Sequence, residues 1–268
     1  MTDQKKPLIT ILLSAYNSGE TIERTLESLM RQTFQDFSVV AIDDASQDGT
    51  EAVLKKWQLT FGYDRFMLLK NESNLGLTKS LNKGLSIITS RYTARIDADD
   101  WWHPEKLARQ MAFLESHPEY GLIGCRYANV FKENQKTIVP PKQDQEIRRK
   151  IFGYNPFAHS AIVFRTGLVK DIGGYDEHIL YGQDYDLWLR LLPKTKFYNL
   201  PELLCYRTGD SGLSKSKQNE QIHQYMRTQW KYMRLYRYPF YSYFSFIRPL
   251  AVLAAPDWLK DLKRRFFL

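Results

Sequence analysis

The chain has 268 residues, 43% hydrophobic and 25% charged, proportions that provide for a buried core and exclude a disordered or collagen-like polymer. Its formal charge of +8 is unevenly spread: residues 1–214 hold 27 Lys and Arg against 27 Asp and Glu, whereas residues 215–268 hold 11 against 3 together with 13 of the 38 aromatic residues. No apolar run approaches the ~20 residues of a membrane-spanning helix, and Cys125 and Cys205 lie too far apart to suggest a zinc motif or a disulfide framework.

The N-terminal lysines precede a short apolar run that passes into a polar turn without a small-residue cleavage site, so a strand is expected there, and a cytoplasmic protein. Short β-rich runs then alternate with helical patterns, the signature of βαβ units and a mainly parallel sheet. Strands are predicted at Leu8 to Ser14, Phe37 to Asp43, Phe66 to Lys70 and Tyr92 to Asp97. Helix starts are signalled by Asn17 with Glu20, by Asp48 with Glu51, and by Pro104. A helix over residues 103–116 places Leu107, Met111 and Leu114 on one buried face. A strand at Gly121 to Phe131 precedes a polar stretch, Lys132 to Gln145, whose prolines predict an insertion or flexible loop. The region from Asn155 to Arg207 reads as irregular around a short helix from Gln183 to Leu192. Beyond it Ile222, Tyr225, Met226, Trp230, Met233 and Tyr236 recur at helical spacing until Pro239.

Three acidic clusters stand at the ends of elements. Asp43 and Asp44 close a strand, and ligands of open α/β sheets bind at the carboxyl ends of strands; turn building and helix capping are the competing reading, favoured for Asp48. Asp97, Asp99 and Asp100 crowd three carboxylates into four residues, which repel one another unless something positive sits among them. A divalent cation answers that need, since Mg²⁺ binds through one or two carboxylates plus substrate phosphates; a solvated acidic turn is the alternative. Asp184 falls in the first turn of a helix, where the dipole favours a carboxylate, and Asp186 stands four residues before Arg190, the spacing of a helix salt bridge.

Seven segments in order carry a resemblance: Ile11-Leu-Leu-Ser-Ala-Tyr-Asn17, Gln32-Thr-Phe-Gln-Asp-Phe37, Ile42-Asp-Asp-Ala-Ser-Gln-Asp-Gly-Thr50, Asn74-Leu-Gly-Leu77, Ile96-Asp-Ala-Asp-Asp100, Gly173-Gly-Tyr-Asp-Glu177 and Asp184-Tyr-Asp-Leu-Trp-Leu-Arg190. From about Leu8 to Arg207 the chain resembles the family 2 glycosyltransferases, inverting nucleotide-sugar enzymes of the GT-A fold. The resemblance implies an α/β fold with a Rossmann-like, mainly parallel sheet flanked by helices. Residues 1–110 would form the nucleotide-sugar-binding half of a domain ending near 214, residues 111–214 its acceptor and catalytic half, and 215–268 a helical basic extension. Ala15, Tyr16 and Asn17 would line the donor site, with Tyr16 stacked on the base. Asp44 would accept the N3 proton of uracil or thymine, with Asp43 nearby. Asp97, Ala98 and Asp99 match the DxD pattern, and Asp97, Asp99 and Asp100 would hold ribose and a Mg²⁺ or Mn²⁺ ion bridging the diphosphate. Asp184 matches the general base, preceded by Gln183 where the family most often has glutamate. Arg207 resembles the arginine of a flexible donor-site loop, with Thr208 where a histidine is common. His159, Trp101 and Gln183 would fall near the acceptor or the phosphates, with structural hydrogen bonding as the equal alternative for His159.

The implied activity is inverting transfer of a sugar from a nucleotide diphosphate, UDP before dTDP, to a hydroxyl of a glycan or lipid-linked acceptor in polysaccharide or lipopolysaccharide synthesis. A positioned carboxylate contributes roughly 10²- to 10⁴-fold as general base, and the metal neutralises the leaving diphosphate. A glycoside hydrolase would need a second, facing carboxylate. A sugar nucleotidyltransferase would need a Gly-rich basic loop where Ser14-Ala-Tyr-Asn-Ser-Gly19 stands. A polyprenyl-phosphate sugar synthase and a catalytically inactive binding module of the same fold are the alternatives. The basic tail carries no nucleic-acid-binding signature, so no nucleic acid partner is expected. Trp258, Leu259, Leu262 and Phe266 stand at near-helical spacing opposite Lys260, Lys263 and Arg264, which predicts peripheral membrane contact, with packing on the domain as the alternative.

Overall fold

The computed structural model describes residues 6–131, 134–209 and 218–254. The chain first winds β1 (Ile9–Ala15), α1 (Ile22–Met30), β2 (Phe37–Asp43), α2 (Thr50–Phe61), β3 (Phe66–Lys70), α3 (Leu77–Ile87) and β4 (Tyr92–Asp97) into four parallel strands, ordered β3-β2-β1-β4. Three of these strands begin and end where the sequence predicts, and β1 is displaced by one residue. The near-continuous apolar runs reflect burial on both faces, as a central parallel strand requires. Ile9, Ile11 and Leu13 join the core layer beneath α1 and α2, and Leu12, Val40 and Ile42 join the opposite layer with Leu81 and Leu85 of α3. Helix α3 lies so close to the sheet that a Cβ on Gly84 would overlap the side chains of Leu12 and Ile42.

The register decides where the chemistry goes. Ala15 lies opposite Asp43, Asp43 opposite Lys70, and Ser14 opposite Asp97. The first motif, the acidic pair and the DxD turn therefore reach the same carboxyl edge of the sheet.

The second half adds β5 (Trp101–Trp102), α4 (Lys106–Ser116), β6 (Tyr120–Phe131), β7 (Asn134–Ile138), α5 (Asp144–Lys150), β8 (Val163–Arg165), α6 (Thr166–Asp171), α7 (Gln183–Leu191) and β9 (Lys196–Thr208). It extends the sheet as β4-β8-β6-β9-β5, with β7 paired to β6. Strands β4 and β8, β6 and β8, and β5 and β9 run antiparallel, while β6 and β9 run parallel. Pairing of Trp101 with Tyr206 carries the end of β9 to the DxD turn.

Three expectations are corrected. Residues 134–138 are not a loop but an edge strand, whose exposed polar side chains give no hydrophobic alternation to read. The region before Arg207 is not irregular: β8, α6 and β9 fill it. Helix α1 starts at Ile22, and Asn17 is not its cap.

Helix α8 (Gln218–Leu235) packs against α7: the Tyr232 hydroxyl donates to Asp186 Oδ1 at 2.9 Å, and Tyr225 stacks on Tyr185 with centroids 4.3 Å apart. Asp186 also takes Arg190 Nε at 2.7 Å, so this pair is the expected helix salt bridge, and it anchors the extension as well. A 3₁₀ segment (Phe240–Phe246) and α9 (Ile247–Ala254) follow. The helix predicted around Trp258 lies outside the described residues. No described helix is long and apolar enough to cross a membrane.

Candidate active site

At the carboxyl end of β1 the backbone of Asn17 turns left-handed (φ 48°), and so does Ala45 after β2 (φ 61°). The two loops are stitched together. Asn17 N–H donates to Ser46 Oγ at 3.0 Å, Gln47 N–H donates to Asn17 Oδ1 at 2.9 Å, and Asp48 accepts from the amides of Gly19 and Thr50. Asn17 and Asp48 thus build the turn, Ala15 is buried at the strand end, and Tyr16 remains 46% exposed with its ring available for stacking.

Asp43 and Asp44 are both buried, in different circumstances. Asp44 Oδ1 accepts from Asn71 Nδ2 at 2.7 Å and Leu75 N–H at 2.9 Å, and Oδ2 accepts from Gly76 N–H at 2.9 Å, so this carboxylate ties down the loop before α3. Asp43 Oδ1 accepts from Ser46 N–H at 3.1 Å, whereas its buried Oδ2 has no hydrogen-bond partner. Beside them a shallow cavity of about 450 Å³ is lined by Ala45, Ser46, Gln47, Lys70, Asn71 and Glu72.

The DxD turn is held mainly through its backbone. Thr21 Oγ1 donates to the Ala98 carbonyl at 3.0 Å, Arg24 Nη2 and Thr208 Oγ1 donate to the Asp99 carbonyl at 3.0 and 2.6 Å, and Thr25 Oγ1 donates to the Asp100 carbonyl at 2.7 Å. Arg24 also lies 3.5 Å over the Trp101 ring, which stacks on Tyr206 with an interplanar angle of 9°.

The carboxylates of this turn differ in state. Asp97 accepts from the wholly buried Arg95 at 2.5 Å and from Ser160 Oγ at 3.0 Å. Burial pushes its pKa up, but Arg95, with His159 and Arg207, outweighs that and brings it down to about 2. Asp100 Oδ1 accepts from Thr208 N–H at 3.0 Å, while its buried Oδ2 has no hydrogen-bond partner and stands 3.7 Å from Arg207 Nε. Burial first, then the charge of Asp97, pushes Asp100 up to about 7.

Asp184 sits at the start of α7, after Gly182 in a left-handed conformation (φ 72°) and beside the half-buried Gln183. Asn155 Nδ2 donates to Asp184 Oδ2 at 2.8 Å. Burial raises the Asp184 pKa, the Tyr185 amide, Asn155 and Arg207 lower it, and Asp97 raises it. Asp184, Arg207 and Asp97 therefore act on one another's charge. His159 is buried, with Nε2 2.9 Å from the Tyr175 hydroxyl and its ring against Trp188. Burial and Arg95 push it down to about 3, so it is neutral at physiological pH.

Arg24, Arg95, Asn155, Ser160 and Thr208 were not singled out as site residues from the sequence. Arg24, Arg95 and Thr208 are isolated polar residues within ordinary elements, Asn155 stands outside any helix or strand, and only Ser160 beside His159 and Thr208 beside Arg207 carry a positional hint.

The donor chemistry also bears on a metal. Among the described residues no three His, Cys, Asp or Glu form a closed cage. The turn does offer two neighbouring carboxylates, since Asp99 adjoins Asp100, whose Oδ2 has no hydrogen-bond partner. That fits a hard divalent cation completed by phosphate oxygens.

The sequence profile described as Glycosyl transferase family 2 matches residues 10–173, more than half of the chain. The chain belongs to that family. The match covers the loops bearing Tyr16, Asp43, Asp44 and Asp97 to Asp100, while Asp184 and Arg207 lie beyond it. Among family 2 relatives, the amylovoran biosynthesis glycosyltransferase AmsE of Erwinia amylovora is 34% identical over 218 residues, spanning 78% of this chain and 80% of AmsE. The Escherichia coli UDP-Glc:alpha-D-GlcNAc-diphosphoundecaprenol beta-1,3-glucosyltransferase WfaP is 29% identical over 226 residues, 81% and 84% of the two chains. The GT-A fold is shared with S. aureus TarS 1-349 in complex with UDP-GlcNAc, at TM-score 0.69 and 22% identity over 84% of this chain and 66% of that one. It is shared equally with the mannosyltransferase PcManGT from Pyrobaculum calidifontis in complex with GDP-Man and Mn²⁺, at TM-score 0.67 and 19% identity over 86% and 65%. The family 2 chain spans only 38% of a longer TarS chain.

Proposed function

We propose that this glycosyltransferase moves a sugar from a UDP-sugar, with inversion, to a hydroxyl of a glycan or lipid-linked acceptor at the cytoplasmic face of a membrane. The observation that carries the reading is the Asp184 carboxylate, held by Asn155 and raised in pKa by burial, in the same field as Asp97 and Arg207. A general base works best when its pKa approaches the operating pH, and this environment moves Asp184 in that direction. The Asp184 carboxylate takes the proton of the acceptor hydroxyl as it attacks the anomeric carbon.

On the donor side, Tyr16 offers its exposed ring to the base; both Asp44 oxygens already hold Asn71, Leu75 and Gly76, so the N3 proton expected at Asp44 passes in this reading to Asp43, whose Oδ2 has no hydrogen-bond partner. Asp99 and Asp100 would hold Mg²⁺ or Mn²⁺, which supplies Lewis-acid neutralisation of the leaving diphosphate. Asp97, fixed by Arg95 and Ser160, stays ionised behind them, and Arg207 adds a cation at the same place. Gln183 and Trp101 are assigned to the acceptor side, and His159, hydrogen-bonded to Tyr175, to a supporting role. Uridine is favoured because TarS is described in complex with UDP-GlcNAc and WfaP is named for UDP-Glc, and WfaP's lipid diphosphate acceptor supports an acceptor of that class.

A thermal-shift screen of UDP, dTDP and GDP with Mn²⁺ or with chelator tests the donor assignment, because a ligand that binds only the folded state raises its apparent stability. UDP with Mn²⁺ should give the largest shift. A larger shift with GDP, or equal shifts in Mn²⁺ and chelator, would contradict it.

A further inference from the structure

The C-terminal helices present a surface that the transfer reaction does not use. Thr228, Gln229, Tyr232 and Met233 turn one side of α8 into the protein. The opposite side exposes Arg227, Trp230, Lys231 and Arg234, at spacings of three, one and three residues that align them in one stripe. The Trp230 ring is 50% exposed and meets Tyr243 and Phe246 edge-on, with centroids 5.5 and 6.1 Å away, which joins the stripe to the 3₁₀ segment. Next to it Phe244 (62%), Ile247 (61%) and Leu250 (52%) expose large apolar side chains, the last two three residues apart on α9. From Gln221 to Ala254 the sequence has five cations and no carboxylate.

We infer that this α8–α9 face is a docking surface for an anionic lipid bilayer. Exposed apolar groups beside cations match the chemistry of that surface: the cations meet lipid phosphates, Trp230 takes the headgroup level, and Phe244, Ile247 and Leu250 reach the acyl boundary. A nucleic acid would satisfy the cations but leave the apolar groups hydrated. A second copy of the chain would bring two faces of like charge together. The inference concerns residues 221–254 and goes beyond the proposed acceptor, since attachment to lipid can be measured without any sugar transfer.

The test is sedimentation of the full-length protein with equimolar phosphatidylglycerol–phosphatidylcholine vesicles and with pure phosphatidylcholine vesicles. The protein should bind the anionic vesicles at low salt and be released by high salt. Each cation near an anionic surface is worth ~1 kcal/mol, so the double substitution Lys231→Gln with Arg234→Gln should lower partitioning by about thirty-fold. Ile247→Glu with Leu250→Glu should lower it about tenfold or more, because it removes apolar area and sets two carboxylates against an anionic surface. All four side chains are exposed, so the melting temperature should stay near wild type. Equal sedimentation with neutral and anionic vesicles would overturn the inference. Wild-type binding by the Ile247→Glu, Leu250→Glu protein would overturn it too, by moving attachment to residues 255–268. So would lipid-free self-association that this variant abolishes, which would give the face to a second copy.

Discussion

Replacing Asn155 with alanine isolates the electrostatics of the proposed base without touching its carboxylate. Asn155 Nδ2 donates to Asp184 Oδ2 at 2.8 Å, a bond that favours the ionised form. A hydrogen bond to a charged group contributes about 1.5–3 kcal/mol. At about 1.4 kcal/mol per pKa unit, its loss should raise the Asp184 pKa by about one to two units, on top of the rise that burial already imposes. A raised carboxylate pKa means the base is protonated over a wider acidic range, so the acid limb of kcat should move to higher pH by about one to two units. The plateau should survive, because Asp184 itself remains. The assay is UDP release with acceptor, followed from about pH 5 to 9. Asn155 Oδ1 also accepts from Phe157 N–H at 3.2 Å, so some loosening of that loop is expected, but it would change KM or the plateau and not the position of the limb. An acid limb that does not move would refute the assignment of Asp184 as the titrating base.

Asp99→Ala should lose Mn²⁺-supported UDP binding in calorimetry, falling to the affinity of wild type in chelator, and an affinity in Mn²⁺ equal to that of wild type in Mn²⁺ would exclude a metal role for Asp99. Asp100 has a folded pKa raised to about 7, so its stabilising contribution is full below the unfolded carboxylate range and lost as pH rises through 7. The metal-free protein should accordingly lose melting temperature between about pH 4 and 7 relative to Asp100→Asn; parallel curves would contradict the shift. Lys106 is buried, pushed down to about 8, and donates to Gln110 Oε1 at 2.6 Å. Between that value and the ordinary lysine range the unfolded chain holds the extra proton, so wild-type stability should gain on Lys106→Met as pH rises from about 8 to 10, by up to about 3 kcal/mol in denaturant melts. A pH-independent difference would show that Lys106 titrates normally.

The parallel half of the fold was legible because short, largely apolar runs stand between turn signals: Phe37–Asp43 and Tyr92–Asp97, buried on both faces, and the half-exposed edge strand Phe66–Lys70 begin and end as predicted. The acidic residues at their ends were legible for the same reason, since a strand that stops in carboxylates at the ligand-binding edge is a local pattern. What could not be read depends on contacts between distant segments. Asn17 looks like a helix cap in sequence, yet its side chain serves the β2–α2 loop thirty positions away. Strand β7 carries no apolar signal because it is paired on an exposed edge. Thr208 reads as a substitution for a more usual histidine, and only the pairing of β9 with β5 brings it to the Asp99 carbonyl and the Asp100 carboxylate. Trp230 sits at core spacing in the sequence, but the buried side of α8 runs through Gln229, Tyr232 and Met233.

The most direct test of glycosyl transfer through Asp184 is the turnover of Asp184→Asn, measured as UDP release with acceptor present and set against its calorimetric affinity for UDP. The substitution keeps the size of the side chain and removes its capacity to take a proton. UDP affinity should stay near wild type, while turnover falls by about two orders of magnitude or more. Turnover comparable to wild type at unchanged affinity would place the base on another residue and contradict the mechanism.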